Sequence, residues 1–336
     1  MDIPAAVAAT RPYRVGFVLI DGFPLLSYAS AMEPLRACNL LAGQTLYELQ
    51  HLAIEGESSY SSSGAHVSAT MPLDESAELD LVLVMAGGDP SAIDSPVLNR
   101  WLRLQAGRPV LVGGVSGGPM ILARAGIMEG RRMTVHWEHA QALAQVSSKL
   151  IIERSLYVRD RDRLTCAGGT AALDMMHALI TEQHGPVLAG EISEWFVQTD
   201  IRPAELAQRA TIAERYGVDN GAVLLSIEAM ENHLADPLEL SQLASLADLG
   251  ARQLNRLFQQ QLGTSVVQFY RQLRLQKANE LLKSTPWSVE NIALATGFAN
   301  GAHLSRRFTQ FHGLSPRSVR RGEAGGQGAA EWTGKR

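Results

Sequence analysis

The stretch LNRLF, residues Leu254–Phe258, returns as LSRRF at Leu304–Phe308. Each copy is followed by a glycine step, at Gly263 and Gly313, and preceded by a short apolar pattern with alanine inside it. A short helix, a tight turn and a second helix with arginine on its outer face are typical of a helix-turn-helix. The repeat therefore predicts two such units in series, each with a helix suited to the major groove of DNA.

The first recognition helix is predicted to begin near Ala251, and the second after Asn300, whose side chain is a good N-cap. The leucines and phenylalanines of each copy recur at the spacing that buries one face of a helix. Arginine, asparagine and glutamine make bidentate contacts to guanine and adenine edges. The positions predicted to face DNA are Arg252, Gln253, Asn255 and Arg256 in the first unit, and Asn300, Gly301, Ala302, His303, Ser305 and Arg306 in the second.

Two of these arginines, Arg256 and Arg306, allow two interpretations. They could read bases, or they could hold the unit together by salt bridges or contact phosphate alone. Their position beside the buried phenylalanine favours the second interpretation, because phosphate contacts position a protein without reading sequence. Base reading is therefore assigned to three residues of each unit: Arg252, Gln253 and Asn255 in the first, and Gly301, Ala302 and Ser305 in the second.

The charge distribution agrees with a chain of which only one part touches phosphate. The 336 residues, 46% hydrophobic and 19% charged, suffice for two or three globular domains. The net charge is −4, but residues 236–322 hold 11 Lys+Arg and 5 Asp+Glu, a net charge of +6. The remainder then carries −10. A basic module joined to an acidic one is the expected footprint of nucleic-acid binding.

Several classes of protein are excluded by the composition. Two cysteines, Cys38 and Cys166, cannot build a disulfide framework, and no Cys/His cluster has the spacing of a zinc site. No stretch approaches the length of a membrane span, and the N-terminus lacks the pattern of a signal peptide. The sequence predicts a reduced, cytoplasmic protein with no metal, no cofactor and no membrane partner.

The first half of the chain alternates between apolar strands and helices. Near-continuous apolar strands separated by helices indicate a parallel sheet covered on both faces, an α/β fold. Thr170 is predicted to N-cap a later helix. The strand patterns lie at 13–20, 46–54, 79–86, 109–113, 155–159 and 163–167. The predicted domains are an α/β domain over 11–198, a linker over 199–220, an all-α domain with the two helix-turn-helix units over 221–322, and a disordered tail over 323–336.

The segment Gly114-Val115-Ser116-Gly117-Gly118 satisfies GxSxG, the nucleophile elbow of serine hydrolases. Taken literally, Ser116 is a nucleophile, with His136 as base and Glu33 or Glu138 as acid. Alternatively, the glycines allow a tight turn from strand to helix, and the amides there bind a carboxylate or another anion. The motif alone leaves both interpretations open.

The C-terminal hundred residues resemble the DNA-binding domain of the AraC/XylS family of transcriptional regulators. The resemblance is carried by SQLASLADLGARQLNRLF, by VENIALATGFANGAHLSRRF and by the signature IA…GF…F…F…G…P…R of the second unit. It implies a regulator that binds double-stranded promoter DNA and contacts RNA polymerase. Gly250 departs from the serine that usually caps the first recognition helix in the family, although a glycine cap is only slightly weaker.

Residues from Arg11 to about Glu194 are similar to the ThiJ/PfpI superfamily, with its class I glutamine-amidotransferase-like fold, in the version fused to AraC-type domains that is called GlxA-type. Glu33, Gly87-Gly88, the GxSxG segment, ILARAGIMEGRRMTVHW and TCAGGTAALDMMHAL carry the resemblance. It implies a flavodoxin-like parallel sheet. Catalytic members have cysteine where this chain has Ser116, and serine is a poor nucleophile without a dedicated base. We therefore expect a sensor and no catalytic residues; the alternative is a serine hydrolase or amidotransferase-like enzyme using Ser116.

The pattern over the whole chain also resembles activators of amine catabolism, including glycine betaine, dimethylglycine, carnitine and arginine regulators, whose ligands pair a carboxylate with a cation. Amides around Ser116–Gly118 suit a carboxylate, and Trp137 could face a quaternary ammonium. Alternatively, Trp137 is a core residue and His136 a satisfied buried histidine. The resemblance implies a homodimer that binds a betaine, carnitine or amino acid and activates a catabolic operon. The predicted effector site comprises Glu33, Gly88, Ser116, Gly117, Gly118, His136 and Trp137.

Overall fold

The computed structural model describes residues 11–74, 76–209 and 211–322. The chain divides into two compact units, with the boundary between Arg209 and Ala210. This boundary falls inside the segment 199–220 that the sequence predicts as a linker. The predicted disordered tail, 323–336, lies outside the described residues.

Within the described residues, the strands lie in the N-terminal unit and form one large and two small sheets. They are β1 (Tyr13–Leu19), β2 (Tyr47–Ala53), β3 (Ser58–Tyr60), β4 (His66–Ser68), β5 (Leu81–Ala86), β6 (Leu111–Ser116), β7 (Arg132–Met133), β8 (Ile151–Ile152), β9 (Tyr157–Asp160) and β10 (Arg163–Cys166). The six-stranded sheet has the order β2-β1-β5-β6-β10-β9. Its pairs are parallel except for β9, which runs antiparallel to β10. The predicted parallel α/β sheet is confirmed.

Helices cover both faces of this sheet. They are α1 (Leu25–Ala42), α2 (Pro96–Ala106), α3 (Gly118–Arg124), α4 (Ala140–Ala144), α5 (Ala171–His184) and α6 (Pro186–Trp195). Helices α1, α5 and α6 contribute to one buried core, while α2, α3 and α4 contribute to the other. Every residue of β5 is buried, because a central strand with helices on both faces has no side toward water. Because β1, β5 and β6 are neighbouring parallel strands, their carboxyl ends meet at one edge of the sheet.

The C-terminal unit is helical. Its helices are α7 (Ile212–Tyr216), α8 (Gly221–Asn232), α9 (Leu240–Leu246), α10 (Ala251–Leu262), α11 (Val266–Ser284), α12 (Val289–Ala295), α13 (Gly301–His312) and α14 (Pro316–Arg320). Phe269 and Leu273 of α11 pack in a core with α8, α9 and α10, whereas Leu275 and Leu282 pack in a second core with α12 and α13. The two predicted helix-turn-helix units thus share α11, which gives one half of its length to each core.

The segment predicted as a linker makes specific contacts before the boundary and forms a helix after it. Arg202 forms an ion pair with the buried Asp174 at 2.7 Å, and its guanidinium also donates to the hydroxyl of Thr170 at 2.7 Å. Thr170 stands at the N-cap position of α5, as predicted, but its side chain makes no capping hydrogen bond there. Its hydroxyl accepts from Arg202 instead. After the boundary, Thr211 and Glu214 form a reciprocal capping box that starts α7.

Among the helices of the described ranges, none is long and apolar enough to cross a membrane.

Candidate ligand site and nucleic-acid interface

The GxSxG segment forms a strained turn between β6 and α3. Ser116, the last residue of β6, has a φ of 61°, which is unusual for any residue except glycine. A Cβ on Gly118 would collide with the carbonyl of Val84, and one on Gly117 would lie 3.0 Å from the carbonyl oxygen of Ala86. The glycines are therefore needed because the turn packs directly against the backbone of β5.

One of the amides around Ser116–Gly118 that were expected to bind a carboxylate is already used. The N–H of Gly117 donates to the carbonyl of Ala86 at 2.8 Å, so the predicted anion-binding role of Gly117 is corrected. Gly118 is buried at the start of a helix of only seven residues. An anion at this turn would need a partner other than the Gly117 amide.

A side chain of α1 that lies close to this turn is Ser27, which was not predicted from the sequence. Its hydroxyl accepts from the N–H of Gly169 at 2.7 Å. A Cβ on Gly168 would lie 2.7 Å from the Cβ of Ser116 and 2.9 Å from the hydroxyl oxygen of Ser27. The predicted Glu33 lies further along α1 and pairs with Arg36 at 2.6 Å. The signal for Ser27 was its place early in the helix after β1, since the ends of parallel strands share one edge.

The nearby thiol is chemically quiet. Cys166, at the end of β10, is completely buried, and burial raises its pKa to about 12. Its sulfur accepts from the N–H of Gly168 at 3.3 Å. Because the thiolate is the reactive form of cysteine, this thiol does not replace the catalytic cysteine that Ser116 lacks.

His136 and Trp137 lie beside the GxSxG turn. The backbone N–H of His136 donates to the carbonyl of Ser116 at 3.1 Å, and the two aromatic rings lie 5.1 Å apart. Trp137 is 37% exposed, so it is not a core residue. The guanidinium carbon of Arg209 lies 4.2 Å from the centre of its ring. The Trp137 ring face predicted to contact the cationic group of an effector is therefore already occupied by the guanidinium of Arg209.

Gly88 is an exposed turn residue with a φ of 63°. Its neighbour Gly87 makes the close approach, because a Cβ there would lie 2.8 Å from the carbonyl oxygen of Gly22. This turn leads to Pro90, whose side chain lies against Gly117. Gly88 thus shapes the loop after β5 that borders the GxSxG turn.

In the C-terminal unit, the two recognition helices begin at Ala251 and Gly301. Gly250 is the N-cap of α10, and the side chain of Asn300 caps α13 by accepting from the N–H of His303 at 2.8 Å. The side chains are arranged as the repeat requires. Leu254, Phe258, Leu304 and Phe308 are fully buried, while Arg252, Gln253, Arg256, Ala302 and Arg306 are exposed and His303 and Ser305 half-buried.

Two predicted base-reading residues are placed elsewhere. The side-chain oxygen of Asn255 accepts from the N–H of Val266 at 2.9 Å, and so holds α10 to the start of α11. Gly301 is buried, with its N–H donating to the carboxylate of Glu290 at 2.8 Å. The assignment of these two residues to base reading is therefore corrected. Arg252, Gln253, Arg256, Asn300, Ala302, His303, Ser305 and Arg306 stay predictions for DNA contact.

The turn of the second unit is fixed by Arg274 of α11. Its guanidinium donates to the carbonyls of Thr296, at 2.7 Å, and Gly297. The same group lies 4.4 Å from the centre of the Phe298 ring. Burial lowers the pKa of this guanidinium. Arg274 therefore couples the shared helix α11 to the turn that precedes the second recognition helix.

These two units correspond to known families. Residues 13–182 match the DJ-1/PfpI family, and residues 243–322 match a helix-turn-helix domain. The chain is 40% identical to the HTH-type transcriptional regulator GlxA of Rhizobium meliloti (strain 1021), over 92% of this chain and 95% of that protein. It is 38% identical to the HTH-type transcriptional regulator CdhR of Pseudomonas aeruginosa, over 89% of each chain.

A solved structure of an AraC family transcriptional regulator from Pseudomonas putida is also similar, with 31% identity and a TM-score of 0.51. It covers 55% of this chain and all of that one. The chain is therefore a transcriptional regulator of the AraC type that carries a flavodoxin-like DJ-1/PfpI domain, and it belongs to the family that includes GlxA and CdhR. The relatives are regulators and not enzymes, so the alternative of a hydrolase using Ser116 is set aside.

Proposed function

We propose that this regulator activates a catabolic operon in response to a small metabolite that carries both a cation and a carboxylate, such as a betaine, carnitine or amino acid. The metabolite binds beside the GxSxG turn, next to Ser116, His136 and Trp137. In this proposal the protein acts in the cytoplasm as a homodimer and contacts RNA polymerase at the promoter.

The contact between Arg209 and Trp137 is the observation that supports a cationic effector. An exposed indole face at 4.2 Å from a guanidinium carbon has the geometry of a cation–π contact. A quaternary ammonium or a second guanidinium could take the same place. Such a contact contributes about 0.5–2 kcal/mol, more when it is desolvated.

The same contact suggests how binding reaches the DNA-binding unit. Gln208, next to Arg209, is held by its amide nitrogen at 2.9 Å from the Thr134 hydroxyl and 2.9 Å from the Val135 carbonyl. Arg209 is followed at once in sequence by the C-terminal unit. An effector that displaced Arg209 from Trp137 would loosen the chain segment at Gln208 and Arg209, which leads into the C-terminal unit. The effector must bind the displaced state better than the original one, because otherwise it shifts nothing.

Calorimetry tests the proposal. The full chain is titrated with glycine betaine, carnitine and arginine, and we expect one of them to bind saturably. Trp137→Ala should weaken that binding by about 3- to 30-fold, the loss of one cation–π contact. Trp195→Ala, at another exposed tryptophan of the same unit, is the matched control and should bind as the wild type does.

Arg209→Ala tests whether the Arg209 guanidinium competes with the effector for the Trp137 ring or merely lies near it. Without the Arg209 guanidinium the indole face is open, so the cationic effector should bind more tightly. Reporter expression without effector should also rise. Weaker binding in Arg209→Ala would mean that Arg209 supports the effector. Absence of saturable binding across the whole series of ligands would contradict the proposed effector class.

A further inference from the structure

We propose that the turn containing His136, Glu138 and His139 binds one divalent transition-metal ion, with Zn²⁺ as the best fit. One possible ligand atom from each of these three side chains lies within 4.8 Å of the other two. Nothing in the sequence spacing predicted this, because the His-x-Glu-His order is not a familiar zinc pattern. The cluster forms because residues 137–139 make a single turn of 3₁₀ helix.

The ligand chemistry fits zinc. Two imidazoles and one carboxylate are the protein ligands of one group of zinc sites, which keep a fourth position open. Bonds of about 2.0–2.2 Å in a tetrahedron place ligand atoms roughly 3.3–3.6 Å apart. The Nδ1 atom of His136 lies 3.8 Å from a carboxylate oxygen of Glu138 and accepts a 3.4 Å hydrogen bond from the N–H of Glu138. A metal ion bound at Nδ1 would replace that hydrogen bond. Closing the site requires side-chain rotations that bring ligand atoms now within 4.8 Å of one another to this tetrahedral spacing.

The burial of the three residues suits such a closure. His139 is only 9% exposed, while the side chains of His136 and Glu138 are each 30% exposed and can be reached from solvent. The backbone of the turn is anchored: the N–H of His139 donates to the carbonyl of His136 at 2.8 Å, and the N–H of His136 to Ser116 at 3.1 Å. The Arg209 guanidinium over the neighbouring Trp137 ring adds a positive charge close to the turn.

A bound ion would also resolve a difficulty at the effector site. The Gly117 amide is engaged by Ala86, so a carboxylate needs another partner there. The open fourth position of a zinc ion next to Ser116 is such a partner. This consequence rests on the proposed function, whereas metal binding by the turn does not.

The test uses Zn²⁺ alone, with no effector. The full chain is freed of metal with a chelator and titrated calorimetrically, and we expect one Zn²⁺ per chain. His139→Ala and Glu138→Gln should each weaken binding by at least about 10-fold, as expected when coordination is disturbed. His66→Ala removes a histidine from β4, outside the cluster, and should leave the affinity unchanged. Circular dichroism in metal-free buffer establishes that each variant is folded.

Co²⁺ gives an independent readout, because its visible absorption reports the coordination geometry. The wild type should develop intense tetrahedral bands that Zn²⁺ abolishes, and Glu138→Gln should lose them. If His139→Ala fails to fold, Glu138→Gln decides, since this side chain is partly exposed. Absence of saturable Zn²⁺ binding, or binding that survives both substitutions unchanged, would overturn the proposal without touching the effector hypothesis.

Discussion

The two helix-turn-helix units share one scaffold but differ at the positions that meet their surroundings. Leu254 and Phe258 in the first unit and Leu304 and Phe308 in the second are equally buried. Outside this core the units diverge: exposed Arg252 has Ala302 as its counterpart. The shared buried positions maintain the fold, and we expect the exposed positions that differ to set which bases each unit reads. The two units are therefore expected to read different DNA sequences.

The supports of the two units differ as well. Asn255 holds α10 to the N–H of Val266, but the corresponding residues are Ser305 and Pro316, and proline has no N–H to donate. The second unit is instead held from α11 by Arg274. A repeated motif in sequence thus conceals two different ways of fixing a recognition helix.

The largest difference in stability between the two units is expected when the turn before each recognition helix is substituted. Gly297 has a φ of 68°, and a Cβ there would lie 2.7 Å from the carbonyl oxygen of Leu234. Asp248 takes the corresponding place in the first turn with a φ of 52°. Gly297→Ala should therefore destabilise the C-terminal unit by about 2–4 kcal/mol, from backbone strain and overpacking. Asp248→Gly, the matched change, should stay within about 1 kcal/mol of the wild type. Hydrogen exchange in α10 and α13 measures both, and equal effects would show that the turns are equivalent.

DNA binding tests the difference between the outer faces. Arg252→Ala should cost about 1–3 kcal/mol of affinity and relax base preference at one position. Arg256→Ala should instead weaken binding to all sequences and reduce the salt dependence, as expected for a phosphate contact. Gel-shift titrations at several salt concentrations separate the two. An Arg252→Ala variant with unchanged affinity and base preference would remove this residue from the interface.

The helix caps should give a smaller effect. Asn300→Ala removes the side chain that accepts from the N–H of His303 and should cost about 1 kcal/mol. Gly250→Ser gives the first unit a capping hydroxyl and should add only a few tenths of a kcal/mol. Urea denaturation of the full-length variants tests the pair. A larger gain at position 250 than the loss at position 300 would mean that the glycine cap is a weak point.

The smallest expected difference depends on pH. His312 packs against Phe308, in the position where the first unit has Leu262, and burial lowers its pKa. The unfolded histidine then binds a proton more readily than the folded one. The contribution of neutral His312 to the free energy of unfolding is therefore complete above the ordinary histidine pKa of about 6.5. It should fall as pH drops from there through the folded pKa. His312→Leu should flatten this dependence for α13 in hydrogen exchange, and an unchanged slope would exclude His312 as its source.

The fold was largely predictable because its signals are local. The starts of α10 and α13 follow from a capping position and the spacing of leucine and phenylalanine within each helix. The roles of Asn255 and Gly301 were not predictable, since they depend on Val266 and Glu290 in neighbouring helices. The same holds for the Gly117 amide and for Arg209, whose partner Trp137 lies far away in sequence. The local spacing of apolar residues predicts where helices and strands lie. The chemistry of a site depends on contacts between residues that are distant in sequence, which that spacing does not reveal.

Selection of DNA from a randomised duplex pool by the full-length protein tests the two-unit interpretation, because the pool contains every short sequence and favours no promoter. Recognition helices that enter successive major grooves should enrich two separate segments, with centres about 10 base pairs apart and different sequences. Arg252→Ala should alter one segment and leave the other in place. Enrichment of a single uninterrupted segment, or of none, would contradict two helices reading DNA in series.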